Sequence, residues 1–308
     1  MADLLSRSAD RPSSKVSPML EAGQRLPSPK RWIRTVSAFP QLWIGSLVLA
    51  LLVIAGVSAP IIAPYGFAQS DAMSILSSPT VHHLLGTDTL GRDTLSRILY
   101  GIRLSLLVSL LSVLSSLFIG VSLGLISGYR SSWLDGLIMR TIDGLMAFPS
   151  LVLALTIAFA LGPSIRSIVI ALAVVRIPGF ARLTRGQMLV IRYQEFVLAA
   201  EAMGVGPVRL VLRHCLPNLV SVILIQASLA AGATVFSEAS LGFLGVSVPP
   251  PTPTLGGMLR DGYIFLETNP WQSIAPGAFI FLAVLSFNFI GDGLRDLLDP
   301  QQRRRVRR

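Results

Sequence analysis

The sequence predicts an all-α, polytopic membrane protein with six transmembrane helices. Three observations carry that expectation. Of 308 residues, 52% are hydrophobic and 14% charged, against about a quarter charged in an ordinary soluble domain. Apolar runs reach the roughly 20 residues that a helix needs to cross a bilayer. The basic residues, finally, cluster in three segments that six spans would bring to one side.

The elements follow in order. Residues 1–38 are polar, rich in Ser, Pro and Arg and without periodicity, and read as a disordered tail. The first span is expected at about 41–63. It is too long for a signal peptide and no small-residue cleavage site is clear. A loop of mixed character runs to about residue 100. Spans two to four are expected at about 102–127, 137–161 and 165–180. The third contains Pro149, tolerable in a membrane helix whose neighbours satisfy the freed carbonyl. Span five is expected at about 219–242, a Pro-rich loop "VSVPPPTPTLGG" follows, and span six is expected at about 271–290. The membrane domain thus covers 39–292 and a basic tail covers 293–308.

Charge placement sets orientation. The N-terminal tail, the loop between spans four and five (Arg182, Arg185, Arg192, Arg209, Arg213) and the final "QQRRRVRR" hold most of the basic residues. With six spans all three lie on one face, which the positive-inside rule makes cytoplasmic, together with both termini. The net charge of +10 therefore reads as topology. Nucleic-acid binding is not expected, since no aromatic or Gly-rich recognition motif accompanies the charge. The single Cys215 excludes a disulfide framework and a Cys-based metal site, and suits packing.

Between spans four and five lies "VLAAEAMGVGPVRLVLRHCLPN", too polar for lipid. Residues 192–203 favour helix. Gly204 can end it in left-handed geometry, and Pro207 suits the first turn of a second helix, expected to end before Pro217. Ala199, Ala200 and Ala202 leave a shallow surface on which another protein could pack. The plain alternative is a long connector.

This loop, about 192–216, resembles the Glu-Ala-Ala-x-x-x-Gly coupling motif of ABC importer permeases. Ala199, Ala200, Gly204, Leu216 and Pro217 match it, and Leu198 stands where the motif has its glutamate, with Glu201 one turn later. "RHCLPN" is similar to the form in peptide-type permeases. "HLLGTDTLGRDTLSRILYGIRLSL", "SEASLGFLGVSVPPPTPTLGGML" and "GDGLRDLLDP" resemble the second, C-type permease subunit of the dipeptide, oligopeptide and nickel branch. The resemblance implies a type I ABC importer permease fold in the bacterial inner membrane. It implies import of di- or oligopeptides, with nickel chelates or glutathione-type compounds as the alternative. The implied partners are a homologous second permease, two ABC ATPases that bind the ATP and Mg, and an extracytoplasmic binding protein. The implied ATPase contact comprises Ala199, Ala200, Glu201, Gly204, Arg209, Arg213, His214, Leu216 and Pro217.

The sequence contains no phosphate-binding Gly-x-x-x-x-Gly-Lys-Ser/Thr loop, so this chain is expected to bind no nucleotide cofactor and to hydrolyse no ATP. An ion-coupled secondary transporter would want several midplane carboxylates, and Glu238 alone is deep. An intramembrane enzyme would want a base within the spans, but His82, His83 and His214 lie outside them.

Individual residues remain open between readings. Asp88, Arg92 and Asp93 either dock or gate against a binding protein or form a salt-bridged turn that starts span two. Glu238 either lines the pathway or bonds a neighbouring helix. His82 and His83 lack the acidic pattern of a metal site. Arg140 and Asp143 are spaced to pair on one face, and Arg176 is expected to snorkel to the interface. Gly120, Gly124 and Gly128, four apart, read as close helix packing.

Overall fold

The computed structural model describes residues 40–129 and 133–298. The expected tails, 1–38 and the end of 293–308, lie outside the described residues apart from 293–298. The elements are α1 (Pro40–Val57), a short α2 (Ala59–Ile62), a 3-10 turn (Ala72–Ser74), α3 (Thr94–Tyr129), α4 (Trp133–Met146) and α5 (Ser150–Leu161). They continue with α6 (Ile165–Ile191), α7 (Glu195–Ala202), α8 (Pro207–Leu210), α9 (Leu216–Phe243), α10 (Leu255–Tyr263) and α11 (Trp271–Leu298). Five helices, with α8 and α9 running together as one, are long and apolar enough to cross a membrane; α4 and α5 together make a sixth, bent by 92°.

That bend corrects the third expected span. Proline disfavours helical geometry in the residue before it, and here Pro149 itself takes φ −54, ψ 128 as the cap of α5. The chain breaks at Ala147–Pro149 instead of absorbing a kink. Spans two, four and six are longer than expected, because polar residues continue them. Serines extend α3, arginines extend α6 through Pro178, and α11 runs on to Leu298. The helix α10 was not expected in its loop; Thr254 starts it by accepting the Gly257 N–H.

The densest packing joins α3 to α6, two helices running in the same direction. Built onto Gly120, a Cβ would stand 2.6 Å from the Phe180 Cβ; at Gly124 it would be 2.6 Å from Ala181 O, and at Gly128 2.7 Å from the Met188 Cβ. Only glycine lets the backbones approach this closely. Elsewhere along its length α3 uses buried hydroxyls. Ser109 Oγ donates to Ala231 O on α9 at 3.0 Å, and Ser112 Oγ to Val169 O on α6 at 3.2 Å. In lipid such bonds replace the hydrophobic effect as the tie between helices. The helices α1 and α11 pack against each other at Gly45 and Gly293 and cover the α9 side.

Candidate functional site

At the end of the bundle where α6 stops and α9 begins, residues 195–217 form a compact cap. Helix α7 ends in a Schellman turn: Val205 N–H donates to Ala200 O at 3.1 Å and Gly204 N–H to Glu201 O at 2.9 Å. Gly204 has φ +82, a conformation in which any Cβ is strained. The expected second helix does not stop before Pro217. Instead α8 passes through a π-helical turn, Val211–Cys215, where Leu216 N–H donates to Val211 O, straight into α9. Proline has no N–H to donate to the carbonyl four residues back, and the wider turn accommodates that gap. The cap is therefore continuous with a membrane-spanning helix.

Its two faces differ. Val197, Ala200, Leu210 and Cys215 point inward and join Phe180, Met188, Val121 and Leu125 in one buried cluster. Ala200, expected on a partner surface, is thus part of the core, 2% exposed. The reason is register: Ala200 lies three residues after Val197, on the helix face that carries the core. Outward lie Leu198, Ala199, Glu201, Gly204, Arg209, Arg213 and Pro217, with His214 and Leu216 half-buried. Between the polar groups stand Met203, Val208 and Leu212, 77%, 71% and 54% exposed. Exposed apolar side chains in a polar cap mark an interaction surface.

Ion pairs tie α4 to α6 near this end. Arg185 donates Nε and Nη2 to both oxygens of Asp135, at 2.7 and 2.8 Å, and Arg182 pairs with Asp143. Asp143 therefore meets α6, and the expected pairing with Arg140 is replaced by an ion pair across the helix interface.

Within the span, the bend at Pro149 opens a cleft of about 640 Å³ bounded by α4, α5, α6 and α9. Arg176 lies on its wall, with Nη2 donating to Ser237 Oγ at 3.0 Å. Its guanidinium turns to α9 and not along α6 toward the helix end. Because α6 continues to Ile191, Arg176 sits 11 residues from the helix start, about 16 Å along the axis and so near the middle of the helix. Glu238 follows Ser237 on α9, just beyond the cleft-lining Ala233; it is 2% exposed and accepts a 2.7 Å bond from Ser105 Oγ on α3. Of the two readings open for Glu238, the geometry has the carboxyl bonding a neighbouring helix.

At the opposite end, Asp88 accepts from Arg92 Nε at 2.7 Å and from the Leu90 and Arg92 N–H groups at 2.9 Å. Asp93 caps α3, accepting from the Ser96 N–H at 2.8 Å and Ser96 Oγ at 2.7 Å, and holds His83 Nδ1 at 3.0 Å. This knot starts α3 and is stitched to α11 through Gln272 Nε2, which donates to Thr87 O. His82 lines a polar depression of about 630 Å³ beside the knot, with Tyr65 and Asp71. Among the described residues no group of His, Cys, Asp and Glu is placed to hold a metal.

The family model for the inner-membrane component of binding-protein-dependent transport systems matches residues 120–304. That span holds the cap, the cleft and the α3–α6 glycines. The chain belongs to this family. It is similar, at 40% identity over 94% of this chain and 91% of the relative, to the dipeptide transport system permease protein DppC of Alkalihalophilus pseudofirmus. The di/tripeptide permease DppC of Pseudomonas aeruginosa is 41% identical over 83% of this chain and 87% of its own. The glutathione transport system permease GsiD of Pectobacterium atrosepticum is 40% identical over 90% and 92%. As an inner-membrane component of such a system, the protein is a multi-pass permease. Its apolar helices are spans, and its all-α architecture is that of the family. Sequence reasoning missed the cleft, because its walls come from three separate spans and its one cation looked like an interfacial residue. Mid-helix Pro149 was the available signal.

Proposed function

We propose that this chain is one of two permeases forming the pathway of an ATP-driven peptide importer. Residues 195–217 are then the surface that separate ATPase subunits grip. The face bearing that loop is cytoplasmic, as are both termini, and a binding protein delivers substrate to the face bearing the Asp88–Arg92–Asp93 knot. The names of the dipeptide, di/tripeptide and glutathione relatives support peptide-like cargo. The concentration of arginines around the cap supports its cytoplasmic placement.

One observation carries the coupling role: the cap has an apolar outer ridge and an inner face fused to the α3–α6 core, and it runs without interruption into α9. A push on Met203 or Val208 is delivered to three spans at once, which a slack connector could not do. The ion pairs Asp135–Arg185 and Asp143–Arg182 carry the same displacement to α4 and the bent span. The knot on the outer face is a rigid frame, since its carboxylates are already consumed by local bonds.

The test is substrate-stimulated ATP hydrolysis by the complex assembled with its partners. Gly204→Arg puts a Cβ and a long cation at φ +82, and Ala199→Glu adds a charge on the outer face. Both are expected to lower ATPase co-purification and stimulated hydrolysis at least tenfold, with the membrane chain expressed normally. Leu198→Glu, which restores the motif's acidic residue, is expected to keep or strengthen the contact. Wild-type transport by both disruptive variants would reduce the loop to a connector.

A further inference from the structure

We propose that Arg176 is a binding site for the free carboxylate of the transported peptide, inside the membrane cleft at the Pro149 bend. This rests on the reading of the chain as a peptide permease.

Four observations converge. The first is charge. Arg176 stands near the middle of a membrane-spanning helix, and an ionised group within a span carries a cost of several kcal/mol and is retained for function. Among the described residues no carboxylate lines the cleft: around Arg176 its walls carry Met146, Phe148, Gln226, Leu229 and Ala233. The second is unused capacity. One guanidinium nitrogen donates to Ser237 Oγ at 3.0 Å, whereas Nε is buried without a partner. Buried donors normally find acceptors, and an Arg fork is built for two-point contact with a carboxylate. The third is positioning. Ser237 Oγ donates to Ala233 O at 2.8 Å, which leaves its lone pairs directed at the guanidinium and fixes the fork against α9. The fourth is space. At Gly179, one turn further along α6, a Cβ would meet only Gln226 Nε2, at 3.6 Å. The floor beside the cation is thus open, and it is faced by the Gln226 amide, which has no hydrogen bond among the described residues. A cleft of about 640 Å³ matches the size of small-molecule sites.

The chemistry is that of a small zwitterion with varied side chains. Every unmodified peptide ends in a carboxylate, so one fixed cation among apolar walls grips the invariant group and leaves side chains unread. Gln226 can serve the adjacent peptide N–H or C=O. Ion pairing in a partly enclosed cleft outweighs the same contact in water, so the bound carboxylate offsets the cost of the half-buried arginine.

The experiment uses the full complex in inside-out vesicles, with dialanine and its C-terminal amide as probes. A Gly179→Cys reporter in a Cys215→Ala background is labelled with a thiol reagent while each probe is present at millimolar concentration. Dialanine is expected to slow labelling at least threefold and the amide not at all. Adding Arg176→Gln is expected to abolish the protection, and Arg176→Lys to keep part of it. In uptake by right-side-out vesicles at saturating binding protein, Arg176→Gln is expected to fall at least tenfold, with unstimulated ATP hydrolysis and subunit stoichiometry unchanged. Equal protection by acid and amide, or undiminished uptake by Arg176→Gln, overturns the carboxylate site while leaving the permease reading intact. Loss of subunits from the Arg176→Gln complex also overturns it, since Arg176 would then pair with a neighbouring subunit. If the wild-type complex takes up no peptide while still coupling ATP hydrolysis to its binding protein, the peptide reading itself falls.

Discussion

The α3–α6 seam and the α4–α5 elbow are both built from apolar helices, yet they pack in opposite ways. Along the seam, glycines at four-residue spacing bring backbones together so closely that any Cβ would collide with the opposite chain. In the elbow, Cβ positions added at Gly136 and Gly144 meet nothing within 4 Å, and in α4 only Ile142 is buried. Trp133, Met146 and Phe148 face outward, 76%, 48% and 59% exposed. A seam of this kind moves as one piece, whereas α4, with one buried residue and two ion pairs to α6, can change its angle against α5, whose Ala154 and Ala158 are packed in the core. Under the proposed function the seam and cap form the lever and the elbow forms the wall of the pathway, open toward the second permease.

The largest effect expected from this contrast is at Gly124. Gly124→Leu drives a side chain into Ala181 O and the Thr184 Cβ, both 2.6 Å from the first added atom. Overpacking of this sort costs about 1–3 kcal/mol or more. In detergent its thermal transition is expected to fall by many degrees, while Gly144→Leu in the elbow shifts it negligibly. Equal shifts would erase the distinction between the two regions.

Next in size is Ser105→Ala, which removes the 2.7 Å donor from buried Glu238. Leaving a buried acceptor unsatisfied costs about 1–3 kcal/mol. Ser115→Ala, on the exposed side of the same helix, is expected to change little. Smaller again is Asp135→Asn. It breaks the two-point contact with Arg185, whose side chain is 32% exposed, and is expected to lose roughly 1 kcal/mol or less. Asp143→Asn, with both partners about half exposed, comes last and is expected to be near neutral for stability. Both Asp variants are nonetheless expected to slow transport, because they uncouple the elbow from α6.

Much of this was legible in the sequence, for identifiable reasons. Gly120, Gly124 and Gly128 announce their seam through spacing alone, and Gly204 announces its left-handed turn because few other residues tolerate one. Ala200 was misread because composition does not say which face of α7 turns inward; Val197 and Leu210, packed with it, decide that. The same limit hid the role of Arg176. Its depth depends on where α6 ends, and polar residues such as Arg182, Arg185 and Gln187 disguise the last turns of a long helix. The elbow was concealed because a proline permits either a kink or a break, and only the neighbouring helices decide between them. The paired Asp135 and Arg185 are 50 residues apart, beyond any local pattern.

The most direct test of the central claim is a photo-crosslinking residue placed at Met203, on the exposed ridge of the cap, in the complex within native membranes. The proposed function predicts one dominant adduct, with a subunit that carries the nucleotide-binding phosphate loop, formed at a rate that changes when ATP is trapped. An adduct with the binding protein, or no subunit adduct at all in membranes that still transport, would contradict it.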